Sequence, residues 1–184
     1  TLGLFTSYRG LKEAAYRTKR VHGRAYEILV QGDAPRMQLV KRFRESVPSV
    51  LLGTDSFWTG VDVPGEALSC LVIDKIPFPS PDDPILDALD ERESNAWAKY
   101  SLPRALIQLR QGIGRLLRTA TDRGVVVLCD PRLIEKGYGK IFLKSCGGAR
   151  VSRDMGDIIK FLDGPAEEPA PRLRTGARAS RRRE

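Results

Sequence analysis

Arginine and glutamine side chains recur with helical spacing between Arg104 and Arg118. The polar residues of this stretch are Arg104, Gln108, Gln111, Arg115 and Arg118, and the apolar residues are Leu102, Leu106, Leu109, Ile113 and Leu116. At about 100° per residue the two sets lie on opposite faces of one predicted helix. Guanidinium groups bind phosphate oxygens in pairs and keep their charge when partly desolvated. The spacing therefore favours a polyphosphate-binding face, with an ordinary solvated helix face as the alternative.

Two glycines, Gly112 and Gly114, interrupt this predicted helix. Each costs about 1 kcal/mol relative to alanine in a helix interior. A helix face that meets only water has no need of them, so we expect the backbone to approach another element closely there. The Gly-x-Gly spacing also suggests an enzyme of the dinucleotide-binding type, but that motif belongs in a strand-to-helix turn and not inside a helix.

The segment from Gly53 to Gly65 is a second candidate site, because it directly follows a predicted buried strand. It contains three glycines, hydroxyl side chains near the strand end and two aspartates. In α/β sheets, ligands bind in loops at the carboxyl ends of the strands. Small residues let backbone amides face an anion, and a carboxylate can accept a ribose hydroxyl. The segment is therefore either a nucleotide-binding loop or an ordinary turn capped by Asp62.

A third candidate site lies at Thr6 and Ser7, which close the first predicted strand. Six basic residues follow them: Arg9, Lys12, Arg17, Lys19, Arg20 and Arg24. Hydroxyl groups at the start of a helix, followed by positive charge, can hold a nucleic-acid backbone without reading its bases. A plain N-cap role for Thr6 or Ser7 explains these residues equally well.

The elements that must position these residues alternate between strand and helix. Predicted strands are Leu2–Thr6, Tyr26–Val30, Val50–Leu52, Leu68–Ile73 and Gly124–Cys129, and predicted helices in the first half are Leu11–Arg20 and Arg36–Arg44, the latter with Met37, Val40 and Phe43 on one face. Short β-branched runs of this kind fit strands that are covered on both faces. The sequence therefore predicts an α/β fold, a doubly wound and mostly parallel sheet with helices on both faces.

Two segments interrupt the alternation. The stretch from Pro77 to Pro84 contains four prolines and is predicted to be a surface loop. Asp82 or Asp83 then caps a helix that runs to about Tyr100, and Ser101 caps the next one, with Pro103 in its first turn. Residues 164–184 contain too few apolar side chains to fold, so we expect a disordered Arg-rich tail after a single domain of residues 1–163.

Composition limits the class of protein. The chain has 184 residues and a net charge of +8, of which the tail contributes +3, so the body is moderately basic. Three well-separated cysteines encode neither a disulfide framework nor a zinc or iron–sulfur site and favour a reducing compartment. We expect Cys70 and Cys129 to pack in the core and His22 to lie on the surface. No apolar run approaches the ~20 residues needed to cross a bilayer, which excludes a membrane-spanning protein.

The chain also lacks the parts that hydrolyse a nucleotide. It has no Gly-x-x-x-x-Gly-Lys-Ser/Thr phosphate loop and no acidic box after a strand. Without a phosphate-binding lysine and a magnesium-binding carboxylate, we expect no nucleotide hydrolysis by this chain alone. Because it opens in mid-strand and without a methionine, we expect it to be a piece of a longer protein.

Taken in order, the candidate sites form a pattern. Three short sequences resemble motifs IV, V and VI of superfamily 2 helicases. In that order they are Phe5-Thr6-Ser7-Tyr8, then Gly53-Thr54-Asp55 with Gly60-Val61-Asp62, and then Gln111-Gly112-Ile113-Gly114-Arg115-Leu116-Leu117-Arg118. Four further segments resemble the DinG/XPD-type DNA helicases, bacterial DinG members especially. They are the run from Ser56 to Gly65, the connector Lys75–Pro79, and the segments Asp122–Arg132 and Tyr138–Lys140. The resemblance covers about residues 2 to 146.

This resemblance implies a function and a set of roles. The chain is similar to the second RecA-like motor domain of an ATP-dependent helicase that moves 5′ to 3′ on single-stranded DNA in DNA repair. Arg115 and Arg118 would then reach the γ-phosphate, with Arg118 as the arginine finger and Gln111 positioning it.

The remaining roles follow from the same resemblance. Gly60 and Asp62 would line the nucleotide side of the cleft, and Thr6, Ser7 and Thr54 would contact the DNA backbone. The first motor domain of the same protein would hold most of the ATP and Mg²⁺, and in many relatives it also carries an iron–sulfur cluster. We expect a bacterial cytoplasmic protein. The alternative is a nucleic-acid-binding or interaction module that has lost catalysis.

Overall fold

The computed structural model describes residues 1–58, 68–80, 83–114, 116, 123–147 and 149–164. Within those ranges the strands are β1 (Leu2–Leu4), β2 (Glu27–Val30), β3 (Ser49–Gly53), β4 (Cys70–Ile73) and β5 (Val125–Leu128). The α-helices are α1 (Tyr8–His22), α2 (Arg36–Glu45), α3 (Asp55–Trp58), α4 (Pro84–Asp90), α5 (Leu102–Ile113), α6 (Arg132–Glu135), α7 (Gly139–Ser145) and α8 (Met155–Asp163). A π-helical turn, Trp97–Ser101, precedes α5.

The strands form one sheet in the order β2-β3-β1-β4-β5, and every neighbouring pair is parallel. Strand β1 is central, with Leu4 in register with Gly53 of β3 on one side and Ile73 of β4 on the other. All carboxyl ends therefore lie at the same edge of the sheet. The predicted α/β fold with a parallel sheet, of the RecA-like kind, is confirmed.

Helices cover both faces of the sheet, because successive strand residues point in opposite directions. Leu29 and Leu51 belong to the main hydrophobic core together with Phe43 of α2. Their neighbours Val30 and Leu52 pack in a second cluster with Leu11 of α1. Helix α1 thus lies on one face and α2 on the other, which makes the sheet doubly wound as predicted.

Helix α5 ends earlier than the sequence predicts. The predicted helix continues to Arg118, but α5 ends at Ile113, where the N–H of Gly114 donates to the Arg110 carbonyl (2.9 Å). The two glycines favour termination because each weakens helix continuation. The apolar stripe itself is confirmed, since Leu109 and the following Leu116 are buried in the core.

The start of α5 also differs from the prediction. Ser101 is not an N-cap, because it is buried in the π-helical turn and its side chain makes no capping hydrogen bond. Pro103 explains the wide turn, since a proline has no N–H to donate and its ring crowds the carbonyl group four residues earlier. The chain therefore enters α5 without a break at Ser101.

The helix predicted from Asp82 or Asp83 to about Tyr100 is divided in two. Asp83 caps α4, with the N–H of Ile85 donating to Asp83 Oδ1 (3.0 Å). Helix α4 ends at Asp90, and Asn95 has a φ of 67°, which a right-handed helix does not contain. The polar composition of this stretch does not signal the break.

Four single-residue predictions have mixed outcomes. His22 is exposed, as expected. Met37 is 77% exposed and does not share the buried face of α2, where Leu39 takes that place. Cys129 follows β5 and is exposed, so its predicted core position is wrong, while Cys70 is half-buried in β4. The predicted tail from residue 165 onward lies outside the described residues.

Candidate functional site

The predicted DNA-contacting residues come together at the carboxyl edge of the sheet. The N–H of Phe5 donates to the Gly53 carbonyl at 2.9 Å, so the chain ends that follow β1 and β3 are direct neighbours. This hydrogen bond continues the β1–β3 pairing by one residue. The segment that begins with Thr6 therefore lies beside the segment that begins with Thr54, although the two are far apart in the sequence.

Ser7, and not Thr6, is the N-cap of α1. Ser7 Oγ accepts a hydrogen bond from the N–H of Gly10 (3.2 Å), and the Ser7 backbone is extended as a cap requires. The side chain of Ser7 is exposed and Thr6 is half-buried. Because the Ser7 oxygen accepts within the cap, its hydroxyl proton stays available to a ligand at this edge.

Thr54 is only 7% exposed, and Gln31 holds its polar groups. Gln31 Oε1 accepts from the backbone N–H of Thr54 (2.6 Å) and from Thr54 Oγ1 (3.0 Å). Both hydrogen-bond donors of Thr54 are therefore engaged. Contact of Thr54 with the DNA backbone stays a prediction, and it requires Gln31 to release one of these donors, because a phosphate oxygen only accepts.

Gln31 also contacts Tyr8, the first residue of α1. Its Nε2 donates to the Tyr8 hydroxyl oxygen at 2.6 Å, while Tyr8 is 57% exposed. Sequence reasoning gave Gln31 no role and gave Tyr8 none beyond its place in a motif. The signal for Gln31 was a long polar side chain directly after strand β2, at the edge where α/β sheets bind ligands.

Helix α5 meets α3 where the two halves of the predicted nucleotide site begin. A Cβ added to Gly112 would lie 2.9 Å from Cζ3 and 3.1 Å from Cε3 of Trp58, a side chain that is 1% exposed. The expected close backbone approach is confirmed for Gly112. Gln111 is exposed beside it. The predicted residues Gly60, Asp62, Arg115 and Arg118 lie outside the described residues.

Gly53 shapes the turn from β3 into α3. A Cβ at this position would lie 2.5 Å from Cδ2 of Phe57, whose ring is buried against the strand end. Only a residue without a side chain lets α3 fold back this tightly. The tight turn carries Trp58 under α5, so the glycine after β3 has a packing role in addition to any role in ligand binding.

A buried carboxylate, Asp130, joins the segments that follow β4 and β5. Asp130 is 4% exposed and accepts from the N–H of Ile76 (2.8 Å) and from the backbone and guanidinium of Arg132 (2.6 to 3.0 Å). Burial alone would raise the pKa of Asp130, but these hydrogen bonds outweigh it and hold the pKa below its ordinary value. The carboxylate therefore stays ionised.

Arg132 in turn lies over the ring of Phe78, 5.1 Å from the ring centre. Phe78 belongs to an aromatic cluster with Trp97, Tyr138 and Phe142, in which ring centres are 5.0 to 6.1 Å apart. The two segments that resemble helicase sequence, around Phe78 and around Asp130, are therefore held together by the Asp130–Ile76 hydrogen bond and the Arg132–Phe78 contact.

The cysteines are weak candidates for chemistry. Burial raises the pKa of Cys70, Cys129 and Cys146, so their thiols are protonated near neutral pH. In the described ranges, no three His, Cys, Asp or Glu side chains lie together as a metal site would need. Among the same residues no helix combines the length and apolar character that crossing a membrane requires.

Comparison with known proteins gives a consistent result. Residues 1–148 match the helicase C-terminal domain family. The chain is 44% identical over 166 residues to the ATP-dependent DNA helicase YoaA of Haemophilus influenzae, covering 86% of this chain and 25% of that protein. It is 45% identical over 143 residues to YoaA of Escherichia coli, covering 76% and 22%.

The ATP-dependent helicase DinG of Mycobacterium tuberculosis is 43% identical over 150 residues, covering 79% of this chain and 22% of that protein. The chain therefore spans about a quarter of the length of these relatives. The parallel sheet, the neighbouring segments after β1 and β3 at its carboxyl edge, the family match over most of the chain and these identities agree. This chain belongs to the helicase C-terminal domain family, and within it to the DinG type.

Proposed function

We propose that this chain is the second motor domain of an ATP-dependent DNA helicase, which couples ATP hydrolysis to movement along single-stranded DNA and to duplex unwinding. The relatives named as ATP-dependent helicases support the proposal. Because the chain spans about a quarter of their length, the activity belongs to a longer protein that also contains a first motor domain.

One observation carries the nucleotide part of this proposal: Gly112 packs directly on Trp58. Trp58 immediately precedes the segment with Gly60 and Asp62, and Gly112 immediately follows Gln111. The residues at which these two segments begin, Trp58 and Gly112, therefore lie side by side although 54 positions separate them in the sequence. A bound triphosphate needs contributions from both segments, and this packing supports their joint role.

The roles follow from the chemistry of these side chains. Arg118 is the arginine finger, Arg115 also reaches the γ-phosphate, and Gln111, exposed at the last turn of α5, positions the finger. Gly60 and Asp62 line the nucleotide side of the cleft. ATP supplies the phosphoanhydride bond that is hydrolysed, and the first motor domain would hold most of the ATP and its Mg²⁺. Charge that develops on the γ-phosphate is stabilised by guanidinium groups.

The DNA part of the proposal concerns the edge at Thr6, Ser7 and Thr54. The exposed Ser7 hydroxyl and the basic residues of α1 contact the phosphate backbone and not the bases, which suits an enzyme that moves along any sequence. Movement runs 5′ to 3′, and the host process is DNA repair. An iron–sulfur cluster, where the longer protein carries one, would be bound by its first motor domain.

The experiment is Arg118→Ala in the longer protein that contains this chain. We expect DNA-stimulated ATP hydrolysis to fall by about 10³- to 10⁵-fold, because an arginine finger contributes that factor in related phosphoryl-transfer enzymes. Affinity for single-stranded DNA, measured by fluorescence anisotropy, should change little.

Arg104→Ala is the matched control, since Arg104 is an arginine of α5 that pairs with Asp83 (3.5 Å), at the end of the helix remote from Gln111. This variant should keep its turnover. Near-normal hydrolysis by Arg118→Ala would refute the assignment of the finger.

A further inference from the structure

The hydrogen bonds of Gln31 fix the direction in which the Tyr8 hydroxyl can donate. A backbone N–H can only donate, so the N–H of Thr54 requires the oxygen of the Gln31 amide to face it (2.6 Å). The amide nitrogen must then face Tyr8 (2.6 Å). Because an amide nitrogen only donates, the Tyr8 oxygen is the acceptor in this bond.

The hydroxyl proton of Tyr8 therefore points away from Gln31. Tyr8 is 57% exposed, so this proton is presented at the surface of the carboxyl edge. Tethering by Gln31 also limits rotation of the exposed ring, which lowers the entropy that a ligand would have to remove. Tyr8 is thus an oriented donor, while the two donors of neighbouring Thr54 are turned inward.

The surroundings of Tyr8 suit an anion. Tyr8, Arg9, Lys12 and Glu13 line an open groove of about 590 Å³. The carboxylate of Glu13 is paired with Arg17, so the balance of charge around the groove is positive. A ligand that offers only acceptor oxygens, carries negative charge and extends along a surface matches these groups, and the backbone of single-stranded DNA is such a ligand.

We propose that Tyr8 donates its hydroxyl proton to a phosphate oxygen of single-stranded DNA, and that Gln31 is the positioning residue that orients this hydroxyl. The proposal rests on the proposed function, whose DNA contacts it refines. At this edge Tyr8 takes the phosphate, and Thr54 supports it through Gln31.

The first test compares Tyr8→Phe with Tyr8→Ala in the longer protein that contains this chain. Binding of fluorescent oligothymidylate of about 20 nucleotides is measured by anisotropy at low ionic strength, alongside an abasic oligomer of equal length. Both variants should lose about 10-fold in affinity, on both oligomers, because each removes a hydrogen bond to a charged group.

Tyr16→Phe is the matched control. Tyr16 is 60% exposed on the same helix, but its hydroxyl contacts Arg20 (3.5 Å) and not the sheet edge. This variant should bind both oligomers like the wild type. Thermal melting of each variant checks that the fold is intact, and Tyr8→Phe keeps the ring and so cannot act through lost packing.

The second test uses Gln31→Glu, which keeps acceptor oxygens for Thr54. A carboxylate also accepts from Tyr8 and so turns the hydroxyl proton inward, away from DNA. The variant should therefore weaken binding about 10-fold more in the Tyr8 background than in the Tyr8→Phe background. The added charge acts equally in both backgrounds and cancels in this comparison.

Several outcomes would overturn the proposal. Normal binding by Tyr8→Phe with loss only in Tyr8→Ala, and only on the oligomer that has bases, would show that the ring stacks on a base. Normal binding by both variants would show that Tyr8 does not contact DNA. Equal loss from Gln31→Glu in both backgrounds would refute the positioning role. A wild-type longer protein that binds neither oligomer would instead refute the DNA-binding part of the proposed function.

Discussion

At the scale of single residues, Asp130 is the most deeply buried carboxylate among the described residues. It is almost fully buried and accepts hydrogen bonds from two separate segments, the Ile76 amide and the Arg132 side chain. Its ionised form is favoured in the folded protein, since its pKa lies below the ordinary value. One side chain therefore fixes how the loop after β4 sits against the loop after β5, next to the aromatic cluster around Phe78.

Asp130→Asn should lower the free energy of unfolding by about 1–3 kcal/mol at pH 7, because the variant loses charge-assisted hydrogen bonds in a buried site. The lowered pKa sets the pH dependence. The stabilisation is fully present above the carboxyl pKa of the unfolded chain, about 3.9, and is lost as pH falls through the lower folded value. Urea unfolding at pH 7 and under acidic conditions measures it.

The difference between wild type and Asp130→Asn should therefore shrink in acid. Glu45→Gln is the control, since Glu45 lies on the surface and pairs with Lys41 at 3.9 Å. It should change stability by less than about 0.5 kcal/mol. A difference for Asp130→Asn that stays constant from neutral pH into acid would contradict the role of its charge.

At the scale of elements, α5 is positioned at both of its ends by features other than helix propensity. The π-helical turn before Pro103 brings it in from the aromatic cluster, where Trp97 packs near Tyr138. At its far end Gly112 lies on Trp58. The helix thus spans from the Asp130 region to α3, and it carries Gln111 to the place where the proposed nucleotide site begins.

Gly112→Ala tests this contact. Alanine favours a helix by about 1 kcal/mol over glycine, but its Cβ would lie 2.9 Å from the buried ring of Trp58. Overpacking of this kind costs about 1–3 kcal/mol, so we expect a net loss of about 1 kcal/mol in unfolding free energy, together with reduced ATPase in the longer protein.

Gly137→Ala is the matched control, because a Cβ there meets nothing within 4 Å. Its unfolding free energy, measured by urea titration, should stay within about 0.5 kcal/mol of the wild type. A Gly112→Ala variant that is more stable than the wild type and keeps full ATPase would show that the contact with Trp58 does not position α5.

At the scale of the whole molecule, the proposed function needs the domain to form one side of a nucleotide site. The segments after β1, β3 and β4 converge at a single edge, and the proposed DNA contacts and the start of the proposed nucleotide site both lie there. An arginine finger acts only on a phosphate that something else binds. The division of labour that we propose between two motor domains follows from that requirement.

The isolated 184-residue chain should therefore hydrolyse no ATP, with or without single-stranded DNA, as measured by phosphate release. The longer protein with both motor domains should hydrolyse ATP when DNA is added, and it serves as the positive control. Turnover by the purified 184-residue chain would mean that it contains a complete site, which contradicts the proposed division.

Much of the fold could be predicted because it depends on local patterns. Short apolar runs separated by turn residues located the strands to within a few residues, and the apolar stripe from Leu102 to Leu116 identified the buried side of α5. The asparagine at positive φ and the π-helical turn were missed, because a few residues with unusual backbone geometry leave little trace in periodicity. Motif order then supplied the family.

The sequence by itself determined the α/β class, the order of strands and helices, and which residue types could bind phosphate. Only the tertiary structure decided which of these residues meet. Gln31 joins Tyr8 and Thr54 across 23 residues in each direction, and Asp130 reaches Ile76 across 54. The physical reason is that strand order in a parallel sheet brings distant carboxyl ends to one edge, whereas periodicity reports only on neighbours within a few residues.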